Sequence, residues 1–537
     1  MQKPHYYFIF LFFIFNSSAW SAITASQGYL QLEQIRRQAG MLHFKRNSEL
    51  ETAAQGHANY LIINNITGHT QSSNLTGFTG VNPTERISAT NYPTHSISEN
   101  VSTGQASIED SIDGLMSAIY HRFGFLDPAK DEIGIGIQSN QSATDPRLSY
   151  VYNMGDSLLA RLCFGKDFSS SGRFYPDVCQ NGIRIGETDY DNALNRLKSR
   201  NPEVIAWPAN GANNIPPVFF EESPDPLPDF AVSGYPISIE FNDFYIKKEI
   251  KLMEFLLFDS VGNAITHTRI LSKSTDPNQR LNNKQFVLFP LERLNWNSLY
   301  RVSIRYSLDG VEKNKTWQFR TRKPANATVF NITGNNENIE VGSGATFAVY
   351  IKPTSAQDSS LGRISASFSA GAQITINFAD QNTLLLTFKG QVGDIANITT
   401  SNGKQFKITL VQIPPLITQA RPAPEGSCYT NGVQANLNNN TVVMPHILVD
   451  GKEILDVTIR IKPDTDPLAF EILQVQANQT NNISCRSGSF SFSNNELHLP
   501  DVLLPNIGFF NAELKLIDNQ LVLDPDSVVN TQQDFNL

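Results

Sequence analysis

At 537 residues the chain exceeds the roughly 250–300 residues at which a single hydrophobic core stops growing, and about 150 residues per domain predicts three or four units. Its 40% hydrophobic and 17% charged residues are those of an ordinary globular protein,. A formal charge of −9 with a pI near 5.6 excludes unaided nucleic-acid binding, which needs a basic phosphate-facing surface, and no run of like charge marks an anionic-membrane patch,.

In chain order, the first element is an export signal over residues 1–22. Lys3 supplies a short positive region, Tyr6 to Phe15 an apolar stretch, and Ser17, Ser18, Ala19, Ser21 and Ala22 the small residues of a cleavage region,. The apolar stretch is shorter than the ~20 residues of a typical membrane span, and no later stretch could cross a bilayer. The expectation is a secreted or periplasmic protein with no integral membrane segment after cleavage.

Leu30, Leu32, Ile35 and Arg36 followed by Gly40 predict an amphipathic helix and its stop,. Ser48 with Glu51 forms a capping box that opens a second helix, whose Leu50, Ala53, Ala54, Ala58 and Leu61 recur at helical spacing; Asn64, Asn65 and Gly68 end it,. Ser107 with Asp110 repeats the arrangement before a third helix striped by Ile108, Ile112, Leu115 and Ile119, with His121 at its end. Residues 133–138 and 148–153 read as strands rich in Ile, Tyr and Val,.

Residues 200–229 read as a Pro-rich linker, punctuated by Pro202, Pro208, Pro216, Pro217, Pro224, Pro226 and Pro228,. Trp207, Phe219 and Phe220 would be costly to leave in water, which predicts that the segment lies against a domain. From residue 230 the rhythm is that of strands: 238–241, 300–306 and 317–320 alternate, and Asp309-Gly310 is a tight hairpin signal,. These predict a β-sandwich over 230–324 and a second β-rich domain over 325–415. A C-terminal β-rich domain follows over 416–537, where Val442–Leu448 is echoed by Leu497–Leu503, as two mutually packed hairpins would require.

Four cysteines suit an oxidising destination, and pairing within each half, Cys163 with Cys179 and Cys428 with Cys485, avoids bridging separate domains,. Each bridge would contribute about 3 kcal/mol. No C-x-x-C pair marks a zinc site. Sequons such as Asn65 and Asn74 imply glycans only in a host with that machinery,.

The histidines that stand out are His69, in Asn64-Asn65-Ile66-Thr67-Gly68-His69, and His121, in Ala118-Ile119-Tyr120-His121-Arg122; Glu99 lies between them in Ser98-Glu99-Asn100-Val101. With A-x-x-H-A at Ala54–Ala58 and the strand Gly134-Ile135-Gly136, these stretches, taken in order, resemble the CAP superfamily of cysteine-rich secretory, antigen 5 and pathogenesis-related proteins. The likeness runs from about Gly28 to Gly155, within a domain drawn as 23–199 with a C-terminal extension. It implies an N-terminal α-β-α sandwich, which with the strand-rich remainder predicts a multidomain α+β protein whose later domains are all-β sandwiches. It also implies a cleft lined by His69, Glu99 and His121, with Glu85 or Glu132 as a fourth residue. Separately, Trp317-Gln318-Phe319-Arg320-Thr321 is similar to the closing strand of bacterial immunoglobulin-like modules.

Two neutral imidazoles, His69 and His121, can share Zn2+ or another divalent cation, with Glu99 orienting a ring or taking a proton from bound water. Two protein ligands make a weak site, and no nucleophile accompanies them. Two functions therefore stand: a binding protein for an extracellular lipid, glycan or protein, and a divalent-metal-assisted, peptidase-like hydrolase. His57, on the second helix near Ala54 and Leu61, reads as a core residue; His95 has no identified partner. Gly155-Asp156-Ser157-Leu158 matches an esterase nucleophile motif, but no histidine has Asp three residues before it, so the match carries no chemistry,.

Overall fold

A computed structural model describes residues 25–140, 147–324 and 327–411, and the backbone of strand segments between residues 434 and 530. The expected export signal, Cys428 and Cys485 lie outside the described residues. No helix among the described residues is long and apolar enough to cross a membrane.

The N-terminal domain runs α1 (Ala25–Gln38), β1 (Lys45–Arg46), α2 (Ser48–Asn64), α3 (Pro83–Ser88), β2 (Ser98–Thr103), α4 (Ile108–Ser117), α5 (Ile119–Phe125), β3 (Glu132–Ser139), β4 (Leu148–Gly155), α6 (Ser157–Leu162), β5 (Phe174–Tyr175), β6 (Ile185–Gly186) and α7 (Glu187–Lys198). Four strands form one sheet in the order β1-β3-β4-β2. Strand alternation sorts its two faces. Tyr150, Tyr152 and Met154 of β4 join Leu32 and Ile35 of α1 and Ile108, Ile112 and Leu115 of α4 in one core. Val151 turns the other way, onto Ala54, Ala58 and Leu61 of α2. The result is the expected α-β-α sandwich.

Gly134 and Gly136 explain why α2 carries alanines. A β-carbon on Gly134 would stand 2.0 Å from the Glu51 backbone nitrogen, and one on Gly136 2.2 Å from the Ala54 carbonyl carbon. The helix lies on bare backbone, closer than any side chain would permit.

Helix ends depart from expectation in two places. Asn47, not Ser48, caps α2: its side-chain oxygen accepts from the amides of Glu49 and Leu50,. Glu51 is instead taken by Arg46, at 2.7 and 2.6 Å. Ser107 caps α4 as expected, accepting from the Asp110 amide. The third helix then breaks at Ala118, which is extended with ψ 110°, so His121 sits in the first turn of a separate helix, α5. Cys163 and Cys179 form the expected disulfide. It ties the end of α6 to the extension at residue 179, and backbone bonds hold that stretch to residues 93–95, the His95 and Gln180 amides donating to the carbonyls of Val178 and Pro93.

Residues 200–229 contain sheet strands rather than only a linker. They supply β7 (Val204–Trp207), β8 (Ala212–Ile215) and β9 (Val218–Phe219), followed by β10 (Ser233–Gly234), β11 (Ile237–Phe241), β12 (Ile250–Phe258), β13 (Thr268–Leu271), β14 (Gln285–Pro290), β15 (Leu299–Leu308) and β16 (Val311–Thr321). Two four-stranded sheets result, ordered β13-β14-β11-β7 and β12-β15-β16-β8. The prolines are compatible because β7 and β8 are edge strands and Pro202, Pro208, Pro216 and Pro217 lie just outside them,. Trp207, Ile215 and Phe219 are buried. Asp309-Gly310 is the two-residue turn between β15 and β16, with φ of 55° and 79°,. The N-terminal domain and this sandwich belong to one compact unit, sharing a core in which Met116 lies with Tyr235, Ile237 and Trp317.

Between Thr328 and Leu410, two further four-stranded sheets enclose Ile339, Phe347, Val349, Leu384, Leu386, Ile398 and Ile408. In the C-terminal segment the echoed stretches form hairpins, Thr441–Val449 with Lys452–Lys462 and Glu496–Leu504 with Gly508–Ile517. They lie side by side in one sheet through Gln434–Asn436, rather than one on the other.

Candidate functional site

Two separate elements and one loop deliver the predicted trio. Asn65, left-handed at φ 52°, ends α2 and turns the chain into the loop carrying His69. Glu99 lies on β2, opposite Asn153 of β4, and His121 on α5. The Asn100 side-chain amide donates to the His121 carbonyl at 2.9 Å, tying β2 to α5. The two imidazoles meet with ring centroids 6.3 Å apart and planes 19° from parallel.

Each imidazole is held through Nδ1 by a buried carboxylate. His69 Nδ1 is 3.0 Å from Glu99 Oε1, and His121 Nδ1 is 2.6 Å from Glu222 Oε1. Both carboxylates are committed elsewhere too. Arg86 Nη2 donates to both Glu99 oxygens at 2.8 and 2.7 Å, and its Nη1 donates to the His69 carbonyl. Glu222 accepts from the backbone amides of Tyr120 and His121. No bond reaches either Nε2 from the described residues. The His69 side chain is 45% exposed and that of His121 16%.

The fourth residue is therefore Glu222, not Glu85 or Glu132. Glu85 caps its own turn, accepting from the Val81 amide and the Asn82 side chain. Glu132 accepts from the Tyr92 hydroxyl and the Asn47 amide, and burial raises its carboxyl above the ordinary range. Arg86 was also missed, since nothing around it separates it from any surface arginine. For Glu222 the only sequence signal was the run of aromatics preceding it.

His57 is wholly buried beneath the site. The Gln71 amide donates to its Nδ1 at 2.9 Å, and its Nε2 lies 2.9 Å from the Gly68 carbonyl, so the ring is neutral with its proton on Nε2,. The orientation of Gln71 follows from its oxygen, which accepts from the Thr79 amide. Burial pushes the His57 imidazole down to about 4, with Glu99 opposing. The unfolded chain therefore binds a proton between pH 6.5 and 4 that the folded chain refuses. Stability is fully present above pH 6.5 and falls through that window by up to about 1.4 kcal/mol per pH unit. Urea unfolding at pH 7 and 4.5 should give a smaller acid loss for His57→Gln than for wild type; equal losses would refute the assignment.

His95, for which the sequence suggested no partner, places Nδ1 2.9 Å from the Asp177 carbonyl. Ser157 of the esterase-like tetrapeptide donates its hydroxyl to Asp131 at 2.6 Å, so it serves the start of α6.

Chemically, the cleft offers two imidazole nitrogens, and its two carboxylates among the described residues, Glu99 and Glu222, are both engaged. Rings whose Nδ1–H is tied to a carboxylate present Nε2 as a donor suited to a divalent cation such as zinc. Among the described residues no group of three or more His, Cys, Asp or Glu is placed to hold a metal ion, so a cation here would draw its remaining ligands from water.

Residues 31–153 match the model of the cysteine-rich secretory protein family, CAP. Among solved structures, an outer surface protein from Borrelia burgdorferi is 16% identical, matching 29% of this chain and 98% of its own with a TM-score of 0.21. An extracellular protein containing an SCP domain from Bacillus anthracis strain Ames is also 16% identical, matching 24% of this chain and 39% of its own, with a TM-score of 0.21. No curated protein matches the sequence.

Proposed function

Starting from the CAP domain at residues 31–153, we propose that the chain is an exported binding protein whose His69–His121 cleft takes an extracellular lipid, glycan or protein, presented on β-rich domains. The observation that carries this reading is the commitment of both acids. Glu99 is bonded to Arg86 and His69, and Glu222 to His121 and two backbone amides. Glu99 could serve as the base of a hydrolase only with an open oxygen within reach of the proton it abstracts, and both of its oxygens face Arg86 or His69,. Export is supported by the Lys3–Ala22 pattern and by the Cys163–Cys179 disulfide,.

A second reading, a divalent-metal-assisted hydrolase, draws on the two open Nε2 atoms. A bound zinc would supply Lewis acidity and an activated water. His69 and His121 would hold it, while Glu99 and Glu222 would keep each ring in the Nδ1–H form.

Native mass spectrometry of the full-length mature protein, with and without chelator, separates the two. The expected result is an organic adduct that survives chelation, with any zinc held weakly and lost in His69→Ala and in His121→Ala. Chelator-sensitive peptide hydrolysis that both substitutions abolish would overturn the binding reading.

A further inference from the structure

We propose that Glu222 is the positioning residue for His121, and that the cleft is a two-domain site which the CAP domain alone does not complete. The proposal rests on the reading of this cleft as the functional site. Glu222 lies outside the matched residues 31–153, between β9 and β10 of the β-sandwich, 101 residues from its partner.

Helix α5 begins without a side-chain cap: Ala118 precedes it and offers no acceptor. Its first amides would be orphaned. Glu222 takes that place from another domain, accepting from the Tyr120 amide at 3.0 and 3.3 Å and from the His121 amide at 3.2 Å. The same carboxylate accepts from His121 Nδ1 at 2.6 Å, and its side chain is fully buried. One group thus fixes both the start of the helix and the ring it carries.

The rest of α5 is held from the same side. The Tyr120 hydroxyl donates to Asp276 and accepts from Asn278, whose amide also reaches the Asp225 carbonyl. Arg122, wholly buried, donates to the Pro236 carbonyl at 2.7 Å and the Ser238 hydroxyl at 3.1 Å. Ile119 packs in a cluster with Phe219, Leu227, Val287 and Phe289. His69 differs, because its partners Glu99 and Arg86 both belong to the CAP domain. A ligand in the cleft therefore meets one imidazole oriented by each domain.

Because the bond at one ring nitrogen sets which nitrogen carries the proton, Glu222 holds His121 in the Nδ1–H tautomer with Nε2 open to the cleft. The test is proton–nitrogen correlation NMR of the full-length protein with ring-labelled histidine at neutral pH, assigning His121 by its substitution. Wild type should show a protonated Nδ1. Glu222→Ala should convert His121 to the Nε2–H form or a mixture, leaving His69 unchanged, while Glu222→Gln, which keeps an acceptor in place, should retain the Nδ1–H form. Persistence of the Nδ1–H form in Glu222→Ala would overturn the proposal. Should the alanine variant not fold, Glu222→Gln decides: the His121 ring shifts must move while those of His69 stay, and unmoved His121 shifts overturn it. None of these signals depends on metal or ligand, so failure of the binding reading and failure of this proposal are separately visible.

Discussion

Replacing Gly134 or Gly136 with alanine is expected to destabilise the N-terminal domain by about 3 kcal/mol or more, a large share of the ~5–15 kcal/mol that holds a typical domain together. Neither glycine has a positive φ, so the cost is one of space. At Gly134 the nearest atoms to an added β-carbon are the Glu51 nitrogen at 2.0 Å, the Leu50 carbonyl carbon at 2.2 Å and the Glu51 α-carbon at 2.6 Å. At Gly136 they are the carbonyl carbon and oxygen of Ala54 and the nitrogen of Gln55, none beyond 2.4 Å. All six are backbone, so no side chain can swing aside; α2 itself would have to lift from the sheet. Lifting it would disturb His57 on α2 and the loop that carries His69. Gly182 supplies the control. It has φ +76° with nothing within 4 Å of its missing β-carbon, so alanine there meets only conformational strain, about 1–2 kcal/mol. Thermal unfolding of the three variants should separate them clearly, and a Gly134→Ala melting curve overlying that of Gly182→Ala would show that the helix can yield.

Arg86→Ala is expected to cost about 3–5 kcal/mol, the range for leaving one member of a buried ion pair without its partner. Both side chains are 1% exposed, and the guanidinium spans both Glu99 oxygens. The substitution would strand the Glu99 charge and release the His69 carbonyl, so the loop over the cleft would loosen as well. A charge-free pair of similar volume, Arg86→Met with Glu99→Gln, should recover much of the loss, since replacing both partners removes the stranded charge. Denaturant unfolding of Arg86→Met, Glu99→Gln and the double variant forms a cycle with the wild type. Strong non-additivity is expected, and simple addition of the two single costs would mean that the pair does not act as a unit.

Much of the N-terminal domain was legible because its signals are local. The stripes of α1, α2 and α4, the Ser107 cap and the Ile, Tyr and Val content of β3 and β4 each depend on residues within a turn or a strand of one another. The Gly134-Ile135-Gly136 strand was readable as a motif, though the reason for it, the backbone of α2 pressed against it, was not. Small errors had equally local causes: Asn47 outcompeted Ser48 as a cap by standing one residue earlier in extended conformation. Nothing in residues 115–121 announced the break at Ala118.

The acids behaved differently. Glu85 and Glu132 looked eligible because they sit near the motifs in sequence, yet one caps a turn and the other bonds Tyr92. Composition alone made residues 200–229 a linker, because proline reports what a backbone cannot donate and is silent about which strand edge it borders. By itself the sequence determined the helices and strands of the N-terminal domain, since periodicity is a property of neighbouring residues, and its ordered motifs carried the resemblance that implies a CAP-like sandwich with His69, Glu99 and His121 in its cleft. Only the tertiary structure brought Glu222 across 101 residues to His121, because a carboxylate's partner is set by how two domains pack, and no local pattern records that.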